Sequence, residues 1–79
     1  MDGSQCRAAR ALLGISQDDL ARETGVSKRT IASFEGGEHS LAPRTLAALV
    51  YKLEDLGIEF INENGGGAGL RLKKGTKNG

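Results

Sequence analysis

The feature that most restricts how this chain can fold is its punctuation. Glycine stands at Gly14, Gly25, Gly36-Gly37 and Gly57, each just after a stretch whose apolar residues recur at helical spacing. Helices end readily in a left-handed residue, and glycine adopts that conformation without a Cβ penalty. Serine marks the opposite ends: Ser4, Ser16 and Ser27 open such stretches, where a hydroxyl can cap free backbone N–H groups. Asp19, three residues after Ser16, makes an acidic variant of the capping box. The pattern predicts helices from about Ser4 to Leu13, Gln17 to Thr24 and Lys28 to Glu35. A fourth starts near Pro43, a favoured first-turn residue, and runs to Leu56. Leu46, Leu49, Val50, Leu53 and Leu56 make its apolar stripe.

After Gly57 the period changes from that of a helix to that of a strand. Residues 58–62 and 69–73 read as two short strands, with Asn64-Gly65 and the glycines that follow supplying a turn. Ile58, Phe60, Leu70 and Leu72 alternate and would give the hairpin an apolar face to dock. A loose tail is the alternative, because two strands alone are marginal in water. The expected organisation is therefore a helical unit over 1–57, a hairpin over 58–73 and a frayed basic tail over 74–79.

Composition removes several function classes. With 79 residues the chain can bury only ~60% of its unfolded surface. A single cysteine, Cys6, cannot form an internal disulfide or a thiolate zinc site, and helical spacing puts it with Ala9 and Leu13 on an inward stripe. There is no apolar run near ~20 residues and no charged-then-apolar leader, so the expected setting is cytoplasmic and reducing. No nucleophile, metal set or phosphate-cradling loop is apparent; Gly65-Gly66-Gly67-Ala68-Gly69 lacks the lysine and helix such loops need. We therefore expect no enzyme activity, no metal and no cofactor. The net charge of +1 hides an uneven distribution: residues 35–63 carry two basic and six acidic side chains, whereas residues 64–79 carry four basic and none acidic.

Residues 17–36 carry the functional signal. Two short helices are joined through Thr24-Gly25-Val26-Ser27. Ala21 must be small where the second helix crosses, Gly25 must turn sharply with positive φ, and Leu20, Val26, Ile31 and Phe34 would share a core. This is the pattern of a helix-turn-helix, whose second helix enters the DNA major groove.

Arg10, Ile15-Ser16-Gln17, Leu20-Ala21, Gly25-Val26-Ser27, Thr30-Ile31, Phe34-Glu35-Gly36 and Thr45-Leu46 together resemble the phage-repressor and Cro-type helix-turn-helix regulators over Cys6 to about Gly57. The sequence departs from that pattern at Thr24, usually apolar, and at Cys6 and Ala9, usually bulkier. The resemblance implies a compact four-helix, lambda-repressor-like domain, here followed by a hairpin, and an Arg10–Glu35 ion pair linking the first helix to the end of the third. It also implies sequence-specific binding of double-stranded operator DNA, with transcriptional repression as the expected outcome.

Residue by residue, Gln17 falls where family members contact a phosphate, and a helix N-terminus also attracts one through its free N–H groups. Ser27 is first a cap and then a phosphate contact. Thr30 and His39 are further phosphate contacts. Lys28 and Arg29 lie at the end of the third helix that reaches base edges and can pair with guanine; Ser33, one turn on from Arg29, can touch a base. Read without the motif, Lys28 and Arg29 would be an ordinary solvated face. Arg71, Lys73, Lys74 and Lys77 are either a second phosphate-binding arm or a solubilising tail.

One recognition helix reads few base pairs, so a symmetric homodimer on a palindromic operator is expected, joined by the hairpin or by the fourth helix. Ile61, on the opposite face from Phe60, would be exposed in a monomer. The alternative function is a protein-interaction module, such as an antitoxin that masks a partner.

Overall fold

The computed structural model describes residues 1–61 and 69–73. In chain order it has helices α1 (Gly3–Leu13), α2 (Gln17–Thr24), α3 (Lys28–Glu35) and α4 (Pro43–Asp55), then strands β1 (Ile58–Ile61) and β2 (Gly69–Leu72). The fold is thus mostly helical, four helices followed by an antiparallel hairpin. The expected turn at Asn64-Gly65 and the tail from Lys74 lie outside the described residues.

The first helix begins earlier than its serine suggested. Asp2, not Ser4, is the cap: its carboxylate accepts from the Gln5 N–H at 2.8 Å, and Gln5 Oε1 accepts from the Asp2 N–H at 2.9 Å. The reciprocal pair decides the register, because the residue three beyond Ser4 is Arg7, which cannot return a bond as an acceptor. Ser16 and Asp19 make the same box at α2, and Ser27 caps α3 through the Thr30 N–H. After α3 the left-handed seat belongs to Gly37, at φ 79°, while Gly36 stays right-handed.

Cys6, Ala9, Leu20, Ile31, Phe34, Leu49, Leu53 and Ile58 form one core, drawn from all four helices and β1. α3 packs on α1 and α2, and α4 packs on α2. The hairpin closes the far side, β1 against α4 and β2 against α1. Its register pairs Ile58 with Leu72 and Phe60 with Leu70. Ile58 is buried, and Phe60 and Leu70 pack against the core; Leu72 stays exposed, so the apolar face is covered over three of its four positions.

One close approach fixes how α1 meets α3. A Cβ on Gly3 would lie 2.1 Å from the Phe34 carbonyl oxygen and 2.9 Å from Glu35 Cα. The first turn of α1 therefore touches the backbone at the end of α3, a contact that any side chain at position 3 would prevent.

Candidate nucleic-acid interface

The α2–α3 unit is set by its connecting turn. Gly25 takes φ 78° and closes α2 with its N–H on the Ala21 carbonyl at 2.8 Å. Thr24, where the family pattern has an apolar residue, has a local use. Its hydroxyl donates to the Leu20 carbonyl at 2.7 Å and accepts from the Val26 N–H at 3.2 Å, bridging the end of α2 to the turn. Ala21 and Val26 pack against the core beside Leu20 and Ile31.

The C-terminal end of α3 is anchored by a buried carboxylate. Glu35 has no exposed side-chain surface and Arg10 only 15%. Arg10 forks onto it, Nε to Oε2 at 2.8 Å and Nη2 to Oε1 at 2.7 Å, while Nη1 donates to the Ile15 carbonyl at 3.2 Å. Gln17 Nε2 adds a third donor at 3.0 Å. Three helices are thus tied to one carboxylate. Burial pushes the Glu35 carboxyl up, but the hydrogen bonds from Arg10, Gln17 and the Cys6 thiol, with the Arg10 charge, outweigh it and hold it below the usual range. Burial first, and then the bond to Glu35, pushes the Cys6 thiol up to about 12. Cys6 is therefore a protonated core residue rather than a reactive thiolate.

The other end of α3 faces solvent. Lys28 and Arg29 are exposed, Ala32 lies between them and the half-buried Ser33, and Glu38 completes this shallow groove. A second groove is lined by Arg29, Thr30, Ser33, His39, Ser40 and Leu41 and shares Arg29 and Ser33 with the first. Arg29 thus lines both grooves, and it makes no ion pair or hydrogen bond among the described residues. Lys28 reaches back to Asp18 on α2 at 3.3 Å, with both side chains more than half exposed. Such a pair is worth ~0–1 kcal/mol, so Lys28 remains able to exchange Asp18 for another anion. The Ser27 and Thr30 hydroxyls bond each other at 2.8 Å.

The sequence model of the helix-turn-helix family matches residues 7–54, well over half of the chain. The chain belongs to the Cro/C1-type helix-turn-helix family. It is a DNA-binding helix-turn-helix protein of a transcription-regulating class. No curated protein matches the chain.

Within this helix-turn-helix, the structure brings Lys28, Arg29 and Ser33 onto one side of α3, with Thr30 and His39 on the adjoining groove. Gln17 stands apart, its amide nitrogen committed to Glu35. Arg71, read as part of either a phosphate-binding arm or a solubilising tail, donates across the hairpin to Glu59 at 2.8 Å, with both side chains exposed. Sequence reasoning passed over Gly3, whose neighbour is remote in sequence, and over Arg44. That exposed arginine sits at the start of α4, where the N-cap Ala42 supplies no side-chain bond. Pro43 at N1 was the available signal for that uncapped turn. Among the described residues no helix is long and apolar enough to cross a membrane.

Proposed function

We propose that the protein is a sequence-specific transcription regulator, a repressor by occupancy, that inserts α3 into the major groove of its operator. The observation that carries this is Arg29, a cation without a partner among the described residues that lines two grooves on the exposed side of α3, beside Lys28 and Ser33. Arg29 and Lys28 read guanine edges and Ser33 an adjacent base. Phosphates are met by the first turn of α2 at Gln17, by Ser27 and Thr30, and by His39 on the loop before α4. Arg44 adds one more cation there. The uncapped N–H groups at the start of α4 suit the same partner.

The protein acts as a binder and not as an enzyme, and it works as a homodimer on a palindromic site. Leu56 at the end of α4 and Ile61 and Leu72 on the hairpin are each about two-fifths exposed, and Ile61, on the hairpin face turned away from Phe60, supports an interface on that outer face. The hairpin extends the helical unit of residues 1–57, and the two function together.

Selection of bound sites from random duplex DNA tests this reading. Two half-sites about 34 Å apart, bound with a steep fall of log affinity against log salt, are the expected result. Selection that returns no common sequence would remove it.

A further inference from the structure

Glu38 is out of place on a surface that meets DNA. It lines the same groove as Lys28, Arg29, Ala32 and Ser33. Its position is built rather than accidental. The Glu38 N–H donates to the Ser33 carbonyl at 2.9 Å, and left-handed Gly37 turns the chain back over the last turn of α3. The carboxylate makes no ion pair or hydrogen bond among the described residues. Lys28, which lines the same groove, is turned to Asp18 instead.

A phosphate would be repelled from this carboxylate, so Glu38 weakens indiscriminate binding wherever the groove lies close to the duplex. A base edge is different. An ionised carboxylate only accepts hydrogen bonds, and in the major groove cytosine presents an N4 amino donor that it fits. Arg29 and Glu38 then line one groove with Ala32 and Ser33, giving it a donor and an acceptor. Resting on the reading that α3 enters the major groove, we infer that Glu38 is a specificity-determining residue that accepts from a cytosine amino group next to the base pair read by Arg29.

The test uses the full chain and three variants, Glu38→Ala, Glu38→Gln and Arg29→Ala. Each competes for a panel in which every base pair of the selected site is changed singly, over a range of salt. The unaltered protein should prefer C·G at one position that Arg29→Ala leaves intact. Glu38→Ala should flatten that position alone, with discrimination falling about fivefold or more. Glu38→Gln should move the preference there toward A·T, because an amide pairs with adenine N6 and N7. Tighter binding of Glu38→Ala to every sequence, with base preferences kept, would reduce Glu38 to a charge effect and overturn the inference. Unchanged binding would overturn it equally. An unaltered protein that discriminates among bases while both Glu38 variants match it defeats this inference alone; one with no preference at all defeats the major-groove reading as well.

Discussion

The two ends of α3 are held in opposite ways. At its C-terminal end the buried carboxylate is fully engaged: Glu35 accepts from Arg10 twice and from Gln17 once, and Gly3 brings α1 onto the backbone there. At its N-terminal end the helix is capped by Ser27, and Lys28 and Arg29 beyond the cap are exposed, Lys28 paired with Asp18 at the surface and Arg29 without an ion pair or hydrogen bond among the described residues. A short helix of eight residues would be marginal on its own. Locking one end to two other helices lets the other end present charge to solvent without losing its direction.

That contrast predicts large stability effects at one end and binding effects at the other. Glu35→Ala leaves Arg10 partly buried without its partner, which should destabilise the fold by ~3 kcal/mol, toward the lower end of buried-pair losses because water reaches part of Arg10. Urea melts measure it, and a loss under ~1 kcal/mol would mean that water replaces the carboxylate.

The same group should shape the acid limb of stability. Its folded-state pKa lies below its unfolded value, so the unfolded chain binds the extra proton. Glu35 thus contributes stability above the ordinary carboxylate range, ~4.3, and that contribution disappears as pH falls through the folded value. Melts from pH 6 to pH 3 should show a steeper acid loss in the unaltered protein than in Glu35→Gln. Parallel curves would mean that Glu35 is not linked to the transition.

Gly3→Ala places a methyl against the Phe34 carbonyl, and separating the two backbones should cost about 1–3 kcal/mol. Because the clash is with backbone, no rotamer relieves it. A variant as stable as the original would show that the first turn of α1 can swing away freely.

At the solvent-facing end, Arg29→Ala should leave stability within ~0.5 kcal/mol and cost ~1–3 kcal/mol of preference at one base pair. Competition binding separates this from a phosphate contact, whose loss weakens all sequences alike. Asp18→Ala is the smallest change. Freeing Lys28 from an exposed partner should alter stability by under ~1 kcal/mol while raising DNA affinity slightly at low salt, and a salt titration reads both.

Much of the fold was legible because its signals are local. The boxes Asp2–Gln5 and Ser16–Asp19 differ in how visible they were. Ser16 stands just before an apolar-periodic run, whereas Asp2 sits next to a competing serine, and only the return bond from Gln5 decides between them. Gly36 and Gly37 were similarly ambiguous as a pair, since either could take the left-handed seat. The candidate site was legible as a set of residue types on one helix, but their partners were not. Nothing near Lys28 in sequence announces Asp18, ten residues back, and nothing near Gln17 announces Glu35, eighteen residues on.

By itself the sequence determined which segments are helices, where the chain turns and which face of each segment is apolar, because capping, positive φ and hydrophobic period act within a few residues. Only the tertiary structure decided that Gly3 must be bare, that Thr24 bridges a turn, that Arg71 is tied across the hairpin, and that Arg29 and Glu38 share a groove. Those outcomes depend on distances between side chains far apart in the chain, and packing of the whole core sets such distances.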